Sequence, residues 1–294
     1  MSNQCELCRV GARGEQSHII PAFVYRWLKR TSATGRLRFV PAPNRPVQDG
    51  AKQELLCGVC EDALQEWESE CASRLFLPYH DGQFTRLEYK SWLAKFCASV
   101  SWRALTYLVL HDRTPTDDKL RIACALRAWR EFLLGSRPHP GKFEQHLVPV
   151  GAIAETTYAN LPGNTNRYLM RAVGMGMLGS GSTLAVVSKM CGLVVVGLIG
   201  NADRSLWSGT KVHINTGIIE PSVLTVPDSL LSYFNRQAAA TFSASAGLPT
   251  AQRDSIERIA ARDPERVLQS GTLKAMMEDL RMFGPTRSNA HEQG

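Results

Sequence analysis

The sequence predicts an α+β protein, and three observations carry this prediction. Two C-x-x-C pairs lie in the first 60 residues and indicate a segment that a metal ion would organise. Apolar residues then recur at helical spacing between residues 89 and 134. A Val-, Leu- and Gly-rich stretch, 167–200, is typical of strands in an antiparallel or mixed sheet, and helical patterns return after it.

Composition excludes several other classes of protein. The 294 residues are 44% hydrophobic and 21% charged, which are globular rather than disordered values. The longest apolar run, 190–200, has 11 residues, whereas a membrane-spanning helix needs about 20. The N-terminus lacks the basic and apolar regions of an export signal. We therefore expect no membrane span and a cytoplasmic protein, whose cysteines stay reduced.

The spacing of apolar residues and the positions of prolines and glycines predict the elements of the N-terminal half. Helix is expected at 21–30, where Pro21 occupies the first turn, and again at 61–77, with Pro78 ending it. Between them, the string PAPNRPVQDG at 41–50 predicts an irregular loop. Two amphipathic helices that pair with each other are then expected, at 89–111 and at 117–134 with Thr116 as N-cap.

In the C-terminal half, the spacing of apolar residues changes from helical to strand-like and then returns to helical. Strands are predicted within 167–200, with a hairpin turn at 179–182, and one or two more within 212–226. The helices that follow are expected at 228–242, 251–262 behind Thr250, 264–269 behind Asp263, and 273–282. Grouped by pattern, the chain divides into a zinc-stabilised module (1–85), a helical pair (86–142), an α+β domain (143–284) and a disordered tail (285–294).

The cysteine pairs are the most specific signal in the sequence. In a reducing compartment, two C-x-x-C turns supply the four thiolates of a closed, tetrahedral Zn²⁺ site. Their separation of 48 residues exceeds that of a compact zinc ribbon, so an insertion must lie between them. Because such a site has no open position for water, the zinc is expected to be structural. The predicted ligands are Cys5, Cys8, Cys57 and Cys60.

Two strings near these cysteines add a resemblance to a known family. Ser17-His18-Ile19-Ile20-Pro21 lies between the pairs, and Leu55-Leu56-Cys57-Gly58-Val59-Cys60-Glu61 contains the second pair. Over about the first 80 residues the chain resembles the HNH endonucleases, the ββα-metal fold. The resemblance implies hydrolysis of DNA phosphodiester bonds with Mg²⁺ or Mn²⁺, and a setting in bacterial defence against phage or in mobile elements.

The resemblance also implies residue roles. His18 stands at the position of the general base that activates water, for which an imidazole is suited at neutral pH. Glu61 aligns with the last metal ligand of the family's motif and offers a hard oxygen to Mg²⁺. Two positions depart from the pattern: Ser17 replaces a metal ligand, and Lys52 or Gln53 replaces an asparagine that orients the base. Asp49, Glu68, His80 or Asp81 would then have to complete the metal site.

Charge distribution suggests a nucleic-acid partner. Residues 1–60 contain nine basic and four acidic residues, and residues 61–81 contain one basic and six acidic residues. A basic stripe beside carboxylates suits a site that holds a phosphate backbone and a divalent cation, although two ordinary solvated faces give the same pattern. The residues predicted to contact phosphates are Arg26, Lys29, Arg30, Arg36 and Arg38.

Other interpretations stay open at this point. His18 can be a structural histidine, and Glu61 can be an acid that favours a helix N-terminus. Ser17 and Lys52 favour an inactive, zinc-stabilised module that binds nucleic acid or protein. In a third interpretation, the region 143–284 binds a small molecule, a protein partner or a second copy of the chain, and the N-terminal module responds. The absence of a G-x-x-x-x-G-K-[ST] string excludes a P-loop NTPase.

Overall fold

The computed structural model describes residues 3–39, 42–47, 49–83, 85–158, 160–180, 183–200, 202–221 and 224–284. Within these ranges the chain is α+β and the paired strands run antiparallel, so the predicted fold class is confirmed at this level. The tail predicted at 285–294 lies outside the described residues.

The chain forms two compact units, each built from three stretches of sequence. The predicted segment limits at residues 85 and 142 stay a prediction. The first unit comprises Met1–Tyr25, Asp49–Val150 and Val173–Leu231, and the second comprises Arg26–Gln48, Gly151–Ala172 and Ser232–Gly294.

The N-terminal part of the first unit is an antiparallel strand pair followed by a helix. Strand β1, Glu15–His18, pairs antiparallel with β4, Lys52–Leu56. Helix α2, Gly58–Cys71, begins two residues after β4. The last two residues of β4, Leu55 and Leu56, are fully buried although they point to opposite faces of the strand. The chain therefore places a strand pair and a helix in the order strand, strand, helix.

The stretch between β1 and β4 contains α1, Ala22–Arg30, and a β-hairpin. Strands β2, Leu37–Phe39, and β3, Ala42–Val47, pair antiparallel. The prediction of an irregular loop at 41–50 is therefore wrong at 42–47, and residues 41 and 48 lie outside the described residues. Proline is tolerated in a two-stranded ribbon because both strands are edges and half of the N–H groups need no partner.

Pro78 does not end the helix that begins at Gly58. A π-helical turn, Ala72–Phe76, continues it into α3, Leu77–His80. Pro78 falls in the first turn of α3, where its missing N–H is not required. The predicted helix end before Pro78 was therefore wrong, because a proline breaks a helix in its interior and not in its first turn.

Helix α4, Ser91–Leu110, is the core of the first unit. The predicted helix and its contact with the following helix are confirmed, but fifteen of its 20 residues are buried, so the helix is not amphipathic as predicted. The helix is covered on several sides, because α2, α5 (Lys119–Leu133) and a β-sheet all contact it. Residues 116–118 form a 3₁₀ turn, and Asp118 rather than Thr116 is the N-cap residue of α5.

The sheet of the first unit has the strand order β6-β9-β8-β7. Its central strands are buried except for Thr183, the first residue of β8, in keeping with their Val-rich sequences. β6 was not predicted, and residues 181 and 182 of the predicted turn lie outside the described residues. A further short pair joins β5, Leu87–Tyr89, to β10, Gly217–Ile219. The four sheet strands are β6 (Gln145–Pro149), β7 (Val173–Ser180), β8 (Thr183–Met190) and β9 (Leu193–Leu198).

The second unit is mostly helical. Residues 167–171, predicted as strand, belong to a helix whose N-terminal amides are capped by Asp279, since Asp279 accepts from Asn166 N at 2.7 Å. Asp263 caps the next-to-last helix, as predicted, by accepting from Arg266 N at 3.0 Å. No helix among the described residues is long and apolar enough to cross a membrane. The helices are α6 (Thr165–Arg171), α7 (Asp228–Ala246), α8 (Thr250–Arg262), α9 (Pro264–Gln269) and α10 (Gly271–Phe283).

We predict that Gly197→Ala lowers the free energy of unfolding by about 1–3 kcal/mol, the usual cost of overpacking a core. A Cβ at Gly197 would lie 2.7 Å from Ser101 Oγ and 2.8 Å from a ring carbon of Trp129. Urea denaturation measures the change. Gly174→Ala is the control, because a Cβ there meets no atom within 4 Å. Equal midpoints for Gly197→Ala and wild type would contradict the packing of β9 on α4 and α5.

Candidate functional site

The four predicted cysteines converge. The Sγ atoms of all four lie within 4.8 Å of one another, and the Sγ atoms of Cys8 and Cys57 are 3.8 Å apart. A tetrahedral zinc site with Zn–S bonds of about 2.3 Å has S···S edges of about 3.8 Å. The quartet therefore fits a zinc ion, and the residues that would hold it are Cys5, Cys8, Cys57 and Cys60.

Local backbone structure turns the thiols inward. The first pair lies in a tight turn closed by Cys5 N donating to Gly11 O at 2.7 Å, and Arg9 takes a positive φ of 62° within it. Gly11 is required here, because a Cβ would lie 2.8 Å from the Cβ of Cys57. The second pair begins α2, with Cys57 as its N-cap residue. A turn and a helix N-terminus thus face each other across the quartet.

The electrostatics of the quartet favour a bound cation. The N–H of Gly11 lowers the pKa of the Cys8 thiol to about 6, although burial opposes this, and the N–H of Val10 adds to it. Burial and the neighbouring thiols raise the pKa of Cys60. Because thiolates at this spacing repel one another, they do not all ionise at neutral pH without compensation. A dication supplies that compensation and releases the remaining protons.

His18 lies at the end of β1 and has a carboxylate partner. Its Nε2 is 2.7 Å from Asp49 Oδ2, and Lys52 Nζ is 3.1 Å from the same oxygen. Gly50 N donates to the other oxygen of Asp49 at 3.0 Å. The His18 side chain is 19% exposed. The imidazole is therefore held in one orientation yet remains accessible to solvent.

The Asp49 carboxyl is ionised at neutral pH. Burial alone would raise its pKa, but the hydrogen bonds from His18, Lys52 and Gly50 N outweigh burial and hold the pKa at about 2. These bonds stabilise the folded state above the ordinary aspartate pKa, near 3.9, and this contribution is lost as the pH falls toward 2. Near neutral pH, Asp49 can only accept a hydrogen bond from His18.

Glu61 and Ser17 contact each other rather than His18. Ser17 Oγ donates to Glu61 Oε2 at 2.7 Å, and Ser17 is fully buried. Successive residues of a strand point to opposite faces, which accounts for the different partners of Ser17 and His18. Within the described part of the chain, the cysteine quartet is the one group of three or more His, Cys, Asp or Glu side chains with ligand atoms close enough to share an ion. The structure therefore does not bring His18 and Glu61 into a second such group.

The predicted phosphate-binding residues belong to the second unit. Arg26, Arg30 and Arg36 are exposed, and Lys29 and Arg38 are half-buried. Arg38 Nη1 donates to Gln252 Oε1 at 3.1 Å. Burial, together with the nearby Arg36, lowers the pKa of the Arg38 guanidinium. Arg38 thus has a role within the unit, whereas the three exposed arginines face solvent.

Comparisons of the chain with protein-family models, with curated proteins and with solved structures found no match. Two residues of the site were not identified in these roles from sequence. Asp49 was one of four candidates for a metal ligand, and its contact with His18 depends on the pairing of His18 with Lys52 across the hairpin. Arg103, which binds the His18 carbonyl, lies 85 positions away along the chain. No local pattern marks either contact.

We predict that Cys57→Ser reduces the zinc content of the purified chain from about one ion per chain to a small fraction, because a hydroxyl is a poor zinc ligand. Elemental analysis after gel filtration gives the stoichiometry. Cys124→Ser is the matched control, since Cys124 is a half-buried free cysteine outside the quartet. Loss of zinc in both variants, or in neither, would contradict the assignment of the ligands.

Proposed function

We propose that the chain is a zinc-stabilised, metal-dependent nuclease of the HNH type that hydrolyses DNA phosphodiester bonds, with His18 as the general base. The order of elements supports the proposal. β1 and β4 form an antiparallel pair and α2 follows directly, which is the arrangement that the name ββα-metal describes. The cysteine quartet ties the turn before β1 to the start of α2.

The observation that carries the proposal is the contact between His18 and Asp49. An ionised carboxylate only accepts hydrogen bonds, so the contact at 2.7 Å places the ring proton of His18 on Nε2. In the neutral imidazole, Nδ1 is then the unprotonated nitrogen, available to take a proton from water. A base held by a carboxylate is a recurring arrangement in hydrolytic sites. Asp49 thus performs the orienting role for which the sequence offered no asparagine.

Glu61 is the proposed protein ligand of a catalytic Mg²⁺ or Mn²⁺. Mg²⁺ usually keeps several waters and binds through one or two carboxylates together with substrate phosphates, so a single carboxylate at this position is compatible with it. Such an ion stabilises the charge that develops on the phosphate and the leaving oxygen. Ser17 fixes one oxygen of Glu61. In this proposal the chain contributes two separately held groups, the Glu61 carboxylate fixed by Ser17 and the His18 imidazole oriented by Asp49.

A second candidate function is binding without catalysis. The ion pair between Lys52 and Asp49, at 3.1 Å, favours it, because Asp49 then has a structural partner besides His18. In this alternative the zinc-stabilised hairpin presents a surface to nucleic acid or protein, and His18 is a structural residue. The two candidates differ in whether removal of the imidazole changes a reaction rate.

We predict that the zinc-loaded full chain nicks or linearises supercoiled plasmid DNA in Mg²⁺ or Mn²⁺, and that His18→Ala lowers the rate by about 10²–10⁴-fold, the usual contribution of a general base. Gel electrophoresis over a time course gives the rates. His139→Ala is the matched control, because His139 is exposed and its Nδ1 contacts only the nearby Gly141 N within the described structure.

Two results would overturn this prediction. Equal cleavage rates for wild type and His18→Ala would overturn the assignment of His18 as the general base. DNA binding by the wild type without cleavage in either cation would favour the binding module.

We also predict that replacing Arg26, Lys29 and Arg30 together by Gln weakens DNA binding and makes it less dependent on salt. Each lost phosphate contact reduces the slope of log K against log salt by about 0.9 for duplex DNA. Fluorescence anisotropy from low to high salt measures both quantities. Replacing Lys119, Arg121 and Arg127 by Gln removes the same charge from exposed positions of α5 and is the control. Equal slopes for the two triple variants would exclude a specific stripe.

A further inference from the structure

Arg103 is a buried cation in the middle of α4. It is 1% exposed, which makes it one of the largest fully buried side chains among the described residues. Its Nη1 donates to the backbone carbonyl oxygen of His18 at 2.9 Å, and its Nε donates to Ser99 O at 3.4 Å. Its Nη2 lies 2.6 Å from Glu68 Oε1 in α2, as an ion pair without hydrogen-bond alignment. One guanidinium thus joins α4, α2 and the end of β1.

Burial of this charge is costly and calls for a reason. Removing a guanidinium from water is unfavourable unless an anion and hydrogen-bond acceptors replace the water. Glu68, which is 17% exposed, provides the anion. A well-packed apolar side chain would often stabilise such a core as well or better. An apolar side chain could not make the hydrogen bond to the carbonyl oxygen of His18, which is the contact that reaches β1.

The peptide group between His18 and Ile19 is held at both of its polar atoms. Arg103 binds the carbonyl oxygen, and Ile19 N donates to Ala51 O at 3.0 Å. With both atoms fixed, rotation of this peptide plane is restricted. The direction in which the Cα–Cβ bond of His18 points depends on that plane. The contact from α4 therefore favours the side-chain position in which Nε2 reaches Asp49.

We propose that Arg103, paired with Glu68, is a positioning residue for His18. It holds the strand end so that the imidazole keeps its bond to Asp49 and presents Nδ1 unprotonated. The catalytic part of this inference rests on the proposed nuclease function, whereas its structural part, the orientation and tautomer of His18, does not. Arg103 lies in α4, outside the N-terminal segment that resembles HNH proteins.

The test compares Arg103→Met with wild type in the zinc-loaded full chain labelled with ¹⁵N-histidine. Two-bond ¹H–¹⁵N spectra report which ring nitrogen carries the proton, and His18→Ala assigns the His18 signals. We expect the Nε2–H tautomer in wild type and a mixture of tautomers in Arg103→Met. In the plasmid assay we expect kcat to fall on the order of tenfold to a hundredfold at unchanged KM, because misorientation of the base affects the chemical step.

Two further variants keep the test decisive. Arg130→Met removes another guanidinium that binds a backbone carbonyl, since Arg130 Nε donates to Leu7 O at 2.6 Å. It is expected to lower the melting temperature without changing the His18 tautomer. Glu68→Gln is the milder variant for the case that Arg103→Met does not fold, and a smaller shift of the same kind is expected.

The outcomes separate this inference from the proposed function. If the His18 tautomer shifts in Arg103→Met but the wild type does not cleave DNA, the positioning role is supported and the proposed nuclease function is overturned. If the wild type cleaves DNA, but folded Arg103→Met has unchanged His18 signals and an unchanged kcat, the positioning role is overturned and the nuclease function is supported. Equal tautomer shifts in Arg103→Met and Arg130→Met would also overturn the inference, because the effect would then be general loosening of the fold.

Discussion

The meeting of four thiols from two distant stretches of chain is the constraint on which the local structure depends. The tight turn at residues 5–11 and the start of α2 face each other across the quartet, and a bound ion would fix their relative position. A backbone hydrogen bond also connects this turn to β4, since Glu6 N donates to Leu55 O at 2.8 Å. A dication at this point would stabilise the folded chain directly, since the unfolded chain does not keep the thiols together.

The region around His18 is completed by helices that follow it in sequence. Arg103 reaches the carbonyl of His18 from α4, and Arg130 reaches the carbonyl of Leu7 from α5. Both contacts come from the same unit as the quartet. The N-terminal segment, at the cysteine turn and at the end of β1, is thus attached to a larger core through buried or half-buried guanidinium groups, and not through apolar packing alone. Substitutions in α4 can therefore change the site without touching it.

Sequence reasoning succeeded where the physical signal is local. The C-x-x-C spacing identified the quartet, and helical periodicity located α5 and α8 within two residues at each end. It failed where tertiary context decides. The prolines of 42–47 signalled a loop but lie in a strand of an isolated ribbon, and residues 167–171 are apolar enough for strand yet are capped as helix by Asp279. The contact between Asp49 and His18 depends on hairpin register, which no single residue encodes.

Zinc K-edge X-ray absorption on the purified full chain tests the central constraint most directly. Four thiolates on one ion give a single shell of four sulfur atoms at about 2.3 Å and no light-atom shell at about 2.0 Å. That spectrum is the expected result. A chain without zinc, or a zinc shell that contains nitrogen or oxygen in place of one or more sulfurs, would contradict the convergence of Cys5, Cys8, Cys57 and Cys60 on one ion.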